Sequence, residues 1–133
     1  MSRDGVHELI GTNFTHMKPD KIVRDCYYNF CFQIQYDNNN IVNYIEIVNS
    51  STYHVVLEGV DVFKTKAENL ISYVEQFSKY LNTPSAQMGF MYIFEDIGIS
   101  LYRSNVFKEE TMKEPWLLQM NQEQKEDELR FQY

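Results

Sequence analysis

Hydrophobic and polar residues alternate most clearly over residues 28–36, where aromatic and aliphatic side chains share one face and Asn, Cys and Gln share the other. A period of two places successive side chains on opposite faces of an extended chain, so this stretch predicts a half-buried strand. Residues 37–40 are Asp-Asn-Asn-Asn, a run that favours a hairpin turn. Residues 41–48 and 53–60 are predicted as two further strands, and the three together predict an antiparallel meander.

Two stretches have apolar residues at helical spacing. Residues 2–10 are predicted as a short helix that Ser2 caps and Gly11 ends. A central helix is predicted to begin at residues 65–68, Thr-Lys-Ala-Glu, which have the spacing of a capping box. Its apolar face consists of Leu70, Ile71, Val74, Phe77, Ser78 and Leu81. We expect this face to pack across the sheet, whereas residues 12–25 show no clean period and are predicted as a loop.

A second pair of strands is predicted at residues 89–94 and 97–102, meeting at an acidic corner formed by Glu95 and Asp96. Beyond this pair, Pro115 permits at most a short helix before it and allows a second helix to start after it. The chain ends on an alternating pattern, which predicts a terminal strand or a truncated chain; its apolar members are Leu129, Phe131 and Tyr133.

These elements predict an α+β fold in one domain, residues 1–133. The sheet is expected to hold about five to six antiparallel strands, covered by the central amphipathic helix and short flanking helices. Aromatic residues make up 15% of the chain, which also favours sheet over a helical bundle.

Charge and cysteine usage narrow the class of protein. The net charge of −7 and a pI near 4.9 argue against binding nucleic acid through phosphate neutralisation. No apolar run reaches the ~18 residues of a membrane span, and no signal-peptide pattern is present, so a cytoplasmic protein is predicted. Cys26 and Cys31 fall in one predicted extended segment, too far apart for a disulfide, and are expected to be reduced.

Catalytic and cofactor signatures are weak. His7, His16 and His54 have no metal-ligand spacing, neither cysteine forms a C-x-x-C motif, and the five glycines form no phosphate-binding loop. Adjacent carboxylates are more typical of a solvated surface than of acid/base catalysis. The chain is therefore predicted not to be an enzyme and to need no metal or cofactor.

An interaction surface is the stronger hypothesis, because a rigid aromatic side chain near clustered carboxylates is typical of a site for a basic partner. The candidate partner-binding residues are Glu95, Asp96, Glu109, Glu110, Glu114, Trp116, Glu126, Asp127 and Glu128. The alternative for Trp116, together with Leu117 and Leu118, is that they close one end of the core.

Four segments, 59–71, 89–103, 107–116 and 124–130, together resemble small bacterial immunity proteins, the antitoxins encoded beside polymorphic toxins of the LXG type. The resemblance covers about the C-terminal half of the chain. It implies a stoichiometric inhibitor that binds a cognate toxin domain, often a nuclease, in the cytoplasm. The acidic charge and the lack of a long apolar run predict that neither nucleic acid nor a membrane is a partner.

Two alternatives to this hypothesis stay open. One is a structural or regulatory protein that self-associates, for example as a homodimer, through a sheet edge at which the alternating C-terminal end offers an unpaired strand. The other is an enzyme that uses a carboxylate pair in a pocket lined by tyrosines, which requires a concave site with convergent ionisable groups.

Overall fold

The computed structural model describes residues 1–106, 113–122 and 125, and its chain divides into two compact units, Met1–His54 and Val55–Tyr133. Helices and antiparallel strands are both present, which confirms the α+β fold. The division into two units does not test the prediction of one domain, and each unit is described by itself below.

The first unit is a four-stranded antiparallel meander with one helix. Its elements are α1 (Arg3–Ile10), β1 (Thr15–Met17), a 3-10 turn (Pro19–Lys21), β2 (Val23–Tyr27), β3 (Phe32–Tyr36) and β4 (Val42–Ile47). The strands lie in chain order, so each pairs with its sequence neighbour. The core of the unit lies between α1 and one face of the sheet, with Val6, Tyr27, Ile34 and Tyr36 as its buried residues.

Local signals specified two parts of this unit correctly. Ser2 caps α1, its hydroxyl accepting a hydrogen bond from the Gly5 N–H at 3.2 Å, and Gly11 ends the helix with a positive φ of 85°. The Asp37 carboxylate accepts hydrogen bonds from the backbone N–H groups of Asn39 and Ile41, both at 2.9 Å, and thereby closes the predicted turn between β3 and β4.

Two predictions for this unit were wrong. The strand predicted at 28–36 begins only at Phe32, because residues 28–30 form a turn between β2 and β3. The predicted loop at 12–25 instead holds β1 and most of β2. Its pattern has no clean period because β2 carries a charged residue, Asp25, on its buried face.

The second unit contains two short hairpins and three helices among the described residues. Its elements are β5 (Val56–Leu57), β6 (Val60–Asp61), α2 (Ala67–Val74), α3 (Pro84–Gln87), β7 (Met91–Phe94), a 3-10 turn (Glu95–Ile97), β8 (Ile99–Tyr102) and α4 (Pro115–Leu118). The pairing of β7 with β8 confirms the predicted second hairpin. The core of the second unit is formed by its buried residues Leu70, Ile71, Val74 and Phe94.

The central helix differs from its prediction in three ways. It ends at Val74, so Phe77 and Leu81 lie beyond it and are 45% and 38% exposed. The Thr65 hydroxyl donates to the Asp61 carbonyl at 2.7 Å instead of capping the helix. Its buried face packs against the short hairpins of its own unit, whose side chains in the core include Leu57, Val60, Tyr92 and Leu101.

The prediction of a third meander strand at residues 53–60 was also wrong. It is replaced by β5 and the start of β6, which pair only with each other through a turn at Glu58 and Gly59. The predicted terminal strand lies outside the described residues.

Candidate functional site

The turn between β2 and β3 presents two aromatic side chains on an unusual backbone. Tyr28, Asn29 and Phe30, which we call the aromatic tip, have φ values of 49°, 56° and 67°. Only glycine adopts this left-handed region freely, and for bulky residues it is a marked outlier. Tyr28 and Phe30 are 48% and 44% exposed. The left-handed backbone therefore holds two large apolar side chains partly in solvent.

Neighbouring groups hold the aromatic tip in this conformation. The Cys31 N–H donates to the Tyr28 carbonyl at 3.2 Å, and the Gln33 amide donates to the Phe30 carbonyl at 3.0 Å. The Tyr53 ring lies 5.6 Å from the Tyr28 ring, and its hydroxyl lies 2.7 Å from the Cys31 carbonyl oxygen. Burial raises the pKa of Tyr53, which keeps this hydroxyl protonated as a donor.

The left-handed conformation has an energetic consequence. It costs about 1–2 kcal/mol for each non-glycine residue, so Tyr28 and Phe30 together store about 2–4 kcal/mol. Backbone strain of this kind collects at functional sites, where the surrounding structure maintains it. Tyr, Trp and Phe are also the side chains enriched at the centres of protein interfaces. The aromatic tip has the composition and the strain of a binding site.

The acidic residues predicted for partner binding fall on two elements of the second unit. Glu95 and Asp96 lie together in the exposed turn between β7 and β8, and neither makes an ion pair with a described residue. Glu114 and Trp116 lie together at the start of α4, with Trp116 45% exposed.

The remaining predictions for this region have mixed outcomes. Leu117 is buried, as its core assignment requires, but Leu118 is 60% exposed, so its assignment to the core was wrong. Five predicted partner-binding residues lie outside the described part of the chain: Glu109, Glu110, Glu126, Asp127 and Glu128.

A buried ionic cluster, which the sequence did not reveal, lies between α1 and the sheet. The Asp25 side chain is fully buried and accepts two hydrogen bonds from the Arg3 guanidinium, at 2.7 and 2.8 Å. His7 Nε2 lies 2.9 Å from one carboxylate oxygen, and His16 Nδ1 lies 3.3 Å from the other. We call these four residues the Asp25 cluster.

The protonation of the Asp25 cluster follows from these contacts. Burial by itself would raise the pKa of Asp25, but its side-chain contacts with Arg3, His7 and His16 outweigh burial and lower the pKa to about 2. The ionised carboxylate only accepts, so His7 donates from Nε2. His16 Nδ1 is also 3.2 Å from Arg3 Nη2, and it can either accept from Arg3 or donate to Asp25 but not both.

This geometry suits a structural tether better than a catalytic centre. The carboxylate oxygens are already occupied by the guanidinium and the imidazoles. Cys26 is adjacent to Asp25 on β2 and so points to the opposite face of the sheet, where its Sγ lies 3.8 Å from the Gln33 amide oxygen. Across the described residues, no group of three or more His, Cys, Asp or Glu side chains is arranged to hold a metal ion.

Only one feature of the sequence indicates the Asp25 cluster. Val23, Asp25 and Tyr27 alternate on the face of β2 that turns toward α1, so a charged residue interrupts an otherwise apolar face. Such a residue requires partners from elsewhere in the chain. Nothing in the spacing of Arg3, His7 and His16 identifies them as those partners.

In comparisons with known proteins, no family model, curated protein or solved structure matches this chain. Among the described residues, none of the helices has the length and apolar character needed to cross a membrane.

Proposed function

We propose that this protein is an immunity protein, a non-enzymatic inhibitor that binds a cognate toxin domain one to one in the cytoplasm and occludes its active surface. The observation that carries the proposal is the aromatic tip. Two half-exposed aromatic side chains stand there on a left-handed backbone, although glycine would remove the strain. That arrangement favours binding over folding stability. The resemblance of the C-terminal half to immunity proteins supplies the class of partner.

Electrostatics supports a basic partner. The chain carries a net charge of −7, and Glu95 and Asp96 are exposed without a described ion pair. A nuclease must present a basic surface to phosphate, so an acidic inhibitor would compete for that surface and associate quickly. The aromatic tip would supply most of the binding energy, and the carboxylates would mainly raise the association rate.

The test is co-expression of this chain with the toxin domain encoded beside it, followed by purification and titration of the toxin's activity. We expect protection of the cells, a one-to-one complex and full inhibition at equimolar protein. Toxin activity that survives an equimolar amount of this protein would refute the proposal.

Two variants separate binding from folding. Phe30→Gly removes the aromatic ring and also relieves about 1–2 kcal/mol of left-handed strain, which offsets the loss of a half-buried side chain. We expect a melting temperature within a few degrees of the wild type and an affinity for the toxin at least tenfold weaker. Asn29→Gly is the matched control, since it relaxes the neighbouring residue and leaves both rings in place. It should bind like the wild type.

The contribution of the acidic turn is tested separately. Glu95→Lys should slow association with the toxin and make it less sensitive to salt, with little change in the dissociation rate. Glu8→Lys makes the same charge change at an exposed position of α1 and serves as its control. Equal effects of the two variants would show that only net charge matters and that the turn at Glu95 is not part of the contact.

A further inference from the structure

The outer edge of β4 is partly open. β4 is the last strand of the four-stranded sheet, and the N-terminal segment covers only its beginning. There the Arg3 N–H donates to the Asn40 carbonyl and the Val42 N–H donates to the Met1 carbonyl, both at 2.9 Å. From Tyr44 onward, the outer edge pairs with no strand in the described part of the chain.

The direction of the free backbone groups follows from one hydrogen bond. The Val48 N–H donates to the Cys31 carbonyl at 2.9 Å, so the polar groups of Val48 point toward β3. In an antiparallel ladder this direction alternates along the strand. Ile47 and Ile45 therefore point their N–H and C=O groups outward, away from β3.

Apart from the carboxylate of Glu46, this half of β4 lacks the features that normally prevent edge-to-edge pairing. Exposed edges in monomeric proteins usually carry Lys, Pro or a bulge. Residues 42–47 contain no Lys, Arg or Pro, and the bulge in this strand pair lies at its covered beginning, opposite Gln35 and Tyr36. Tyr44 and Ile45 are instead 52% and 49% exposed.

We propose that a second copy of this chain pairs with β4 along this edge, joining the two four-stranded sheets into one continuous antiparallel sheet. A two-fold axis perpendicular to the sheet at Ile45 would pair Ile45 with its own copy, and the outward groups found above meet the hydrogen-bonding requirement of that register. The same register sets Tyr44 opposite Glu46 of the second copy. Each carboxylate then faces a tyrosine side chain instead of a like charge, so the edge is complementary to itself.

The apolar surface beside the edge fits the same occupant. A cleft of about 300 Å³ lies between α1 and the sheet, and Leu9, Ile10, Ile34 and Ile45 are among its lining residues. Leu9 is 69% exposed and Ile10 is 39% exposed. Because a perpendicular two-fold axis keeps α1 on the same face of both sheets, pairing at Ile45 brings the two clefts together and removes their apolar walls from water.

The test is the mass of the full-length chain in solution, measured by light scattering and sedimentation from micromolar to sub-millimolar concentration. We expect a dimer of twice the 15.9 kDa chain mass. Its affinity should rise with added salt, because each copy carries a charge of −7 and screening weakens their repulsion. Binding to a basic toxin should weaken with salt, so the two associations are distinguishable. A monomer at every concentration and salt level overturns the proposal without bearing on the toxin.

Two lysine substitutions locate the interface. Ile45→Lys places a charge at the centre of the proposed contact and should weaken dimerisation at least tenfold. Val56→Lys changes another exposed β-branched residue, 60% exposed in β5 of the second unit, and should leave the dimer intact. A dimer that persists in Ile45→Lys, or is lost equally in Val56→Lys, overturns the assignment to β4.

A measurement on the wild type covers the case in which Ile45→Lys fails to fold. Hydrogen exchange at the Ile45 amide should slow as protein concentration rises, because dimerisation gives this outward N–H group a partner. Exchange at this amide that is independent of concentration would also overturn the proposal.

Discussion

Replacing the fully buried Asp25 by Asn is the sharpest test of how α1 is held to the sheet. The carboxylate accepts two hydrogen bonds from Arg3, at 2.7 and 2.8 Å, and contacts both His7 and His16. Asn preserves the shape of the side chain but removes its charge and one acceptor. The variant therefore leaves the Arg3 guanidinium without a counter-charge.

The size of the effect at neutral pH follows from burial. Removing one partner of a buried ion pair costs about 3–5 kcal/mol. The Arg3 side chain is 25% exposed, so water compensates part of this loss and the lower end of that range is expected. We expect the free energy of unfolding at pH 7 to fall by about 3 kcal/mol.

The pH dependence of the free energy of unfolding gives a second, independent value for the stabilisation by the Asp25 carboxylate. The pKa of Asp25 is lowered from 3.8 to about 2 in the folded protein. Below about pH 5 the unfolded chain takes up a proton more readily than the folded one, so this stabilisation is complete at neutral pH and is lost as the pH falls toward 2. At about 1.4 kcal/mol per pKa unit it amounts to about 2.5 kcal/mol. The stability difference between wild type and Asp25→Asn should therefore shrink by about 2.5 kcal/mol between neutral pH and pH 2.

Urea unfolding followed by circular dichroism at several pH values measures both quantities. Hydrogen exchange in β2 shows whether the loss falls on the first unit. Glu8→Gln removes an exposed carboxylate from α1 and should leave the stability almost unchanged. A stability difference between Asp25→Asn and the wild type that stays constant from pH 7 to pH 2 would refute the ion-pair reasoning.

Two further predictions concern the second unit. Leu70→Ala should lower the free energy of unfolding by about 2–5 kcal/mol, because Leu70 is buried in the core. Phe77→Ala should lower it by less than about 1.5 kcal/mol, because Phe77 is 45% exposed. Equal losses of the two variants in urea unfolding would contradict this packing. Ser78→Ala should leave the free energy of unfolding unchanged or raise it by up to about 1 kcal/mol. The reason is that the Ser78 hydroxyl is buried and has no hydrogen-bond partner among the described residues. A clear drop in melting temperature would mean that the hydroxyl forms a hydrogen bond in solution.

Some elements were accessible from the sequence because their determinants are local. Ser2 and Gly11 mark the ends of α1, and the Asp37 carboxylate closes a turn within four residues of itself. One wrong prediction also had a local cause. The alternation continues through residues 28–30, where only Asn29 is of a type that often adopts a left-handed backbone, and Tyr28 and Phe30 carry no such signal.

The Asp25 cluster shows what local patterns cannot reveal. Its contacts join residues 22, 18 and 9 positions apart. Arg3 and His7 reach Asp25 because α1 packs on the buried face of β2, and His16 reaches it because β1 pairs with β2 so that His16 lies opposite Asp25. Each histidine is unremarkable in its own segment. The meeting of two imidazoles and a guanidinium on one carboxylate therefore required the tertiary structure.

The sequence by itself determined the α+β class, the acidic charge, the hairpin at Glu95 and Asp96 and the exposed carboxylates at its turn, since composition and short-range patterns encode these. Only the tertiary structure decided the buried partners of Asp25, the aromatic tip and the open edge of β4. Those three depend on which strands pair and where pairing stops. Strand pairing is set by contacts between distant segments, so no single stretch of the chain contains the information.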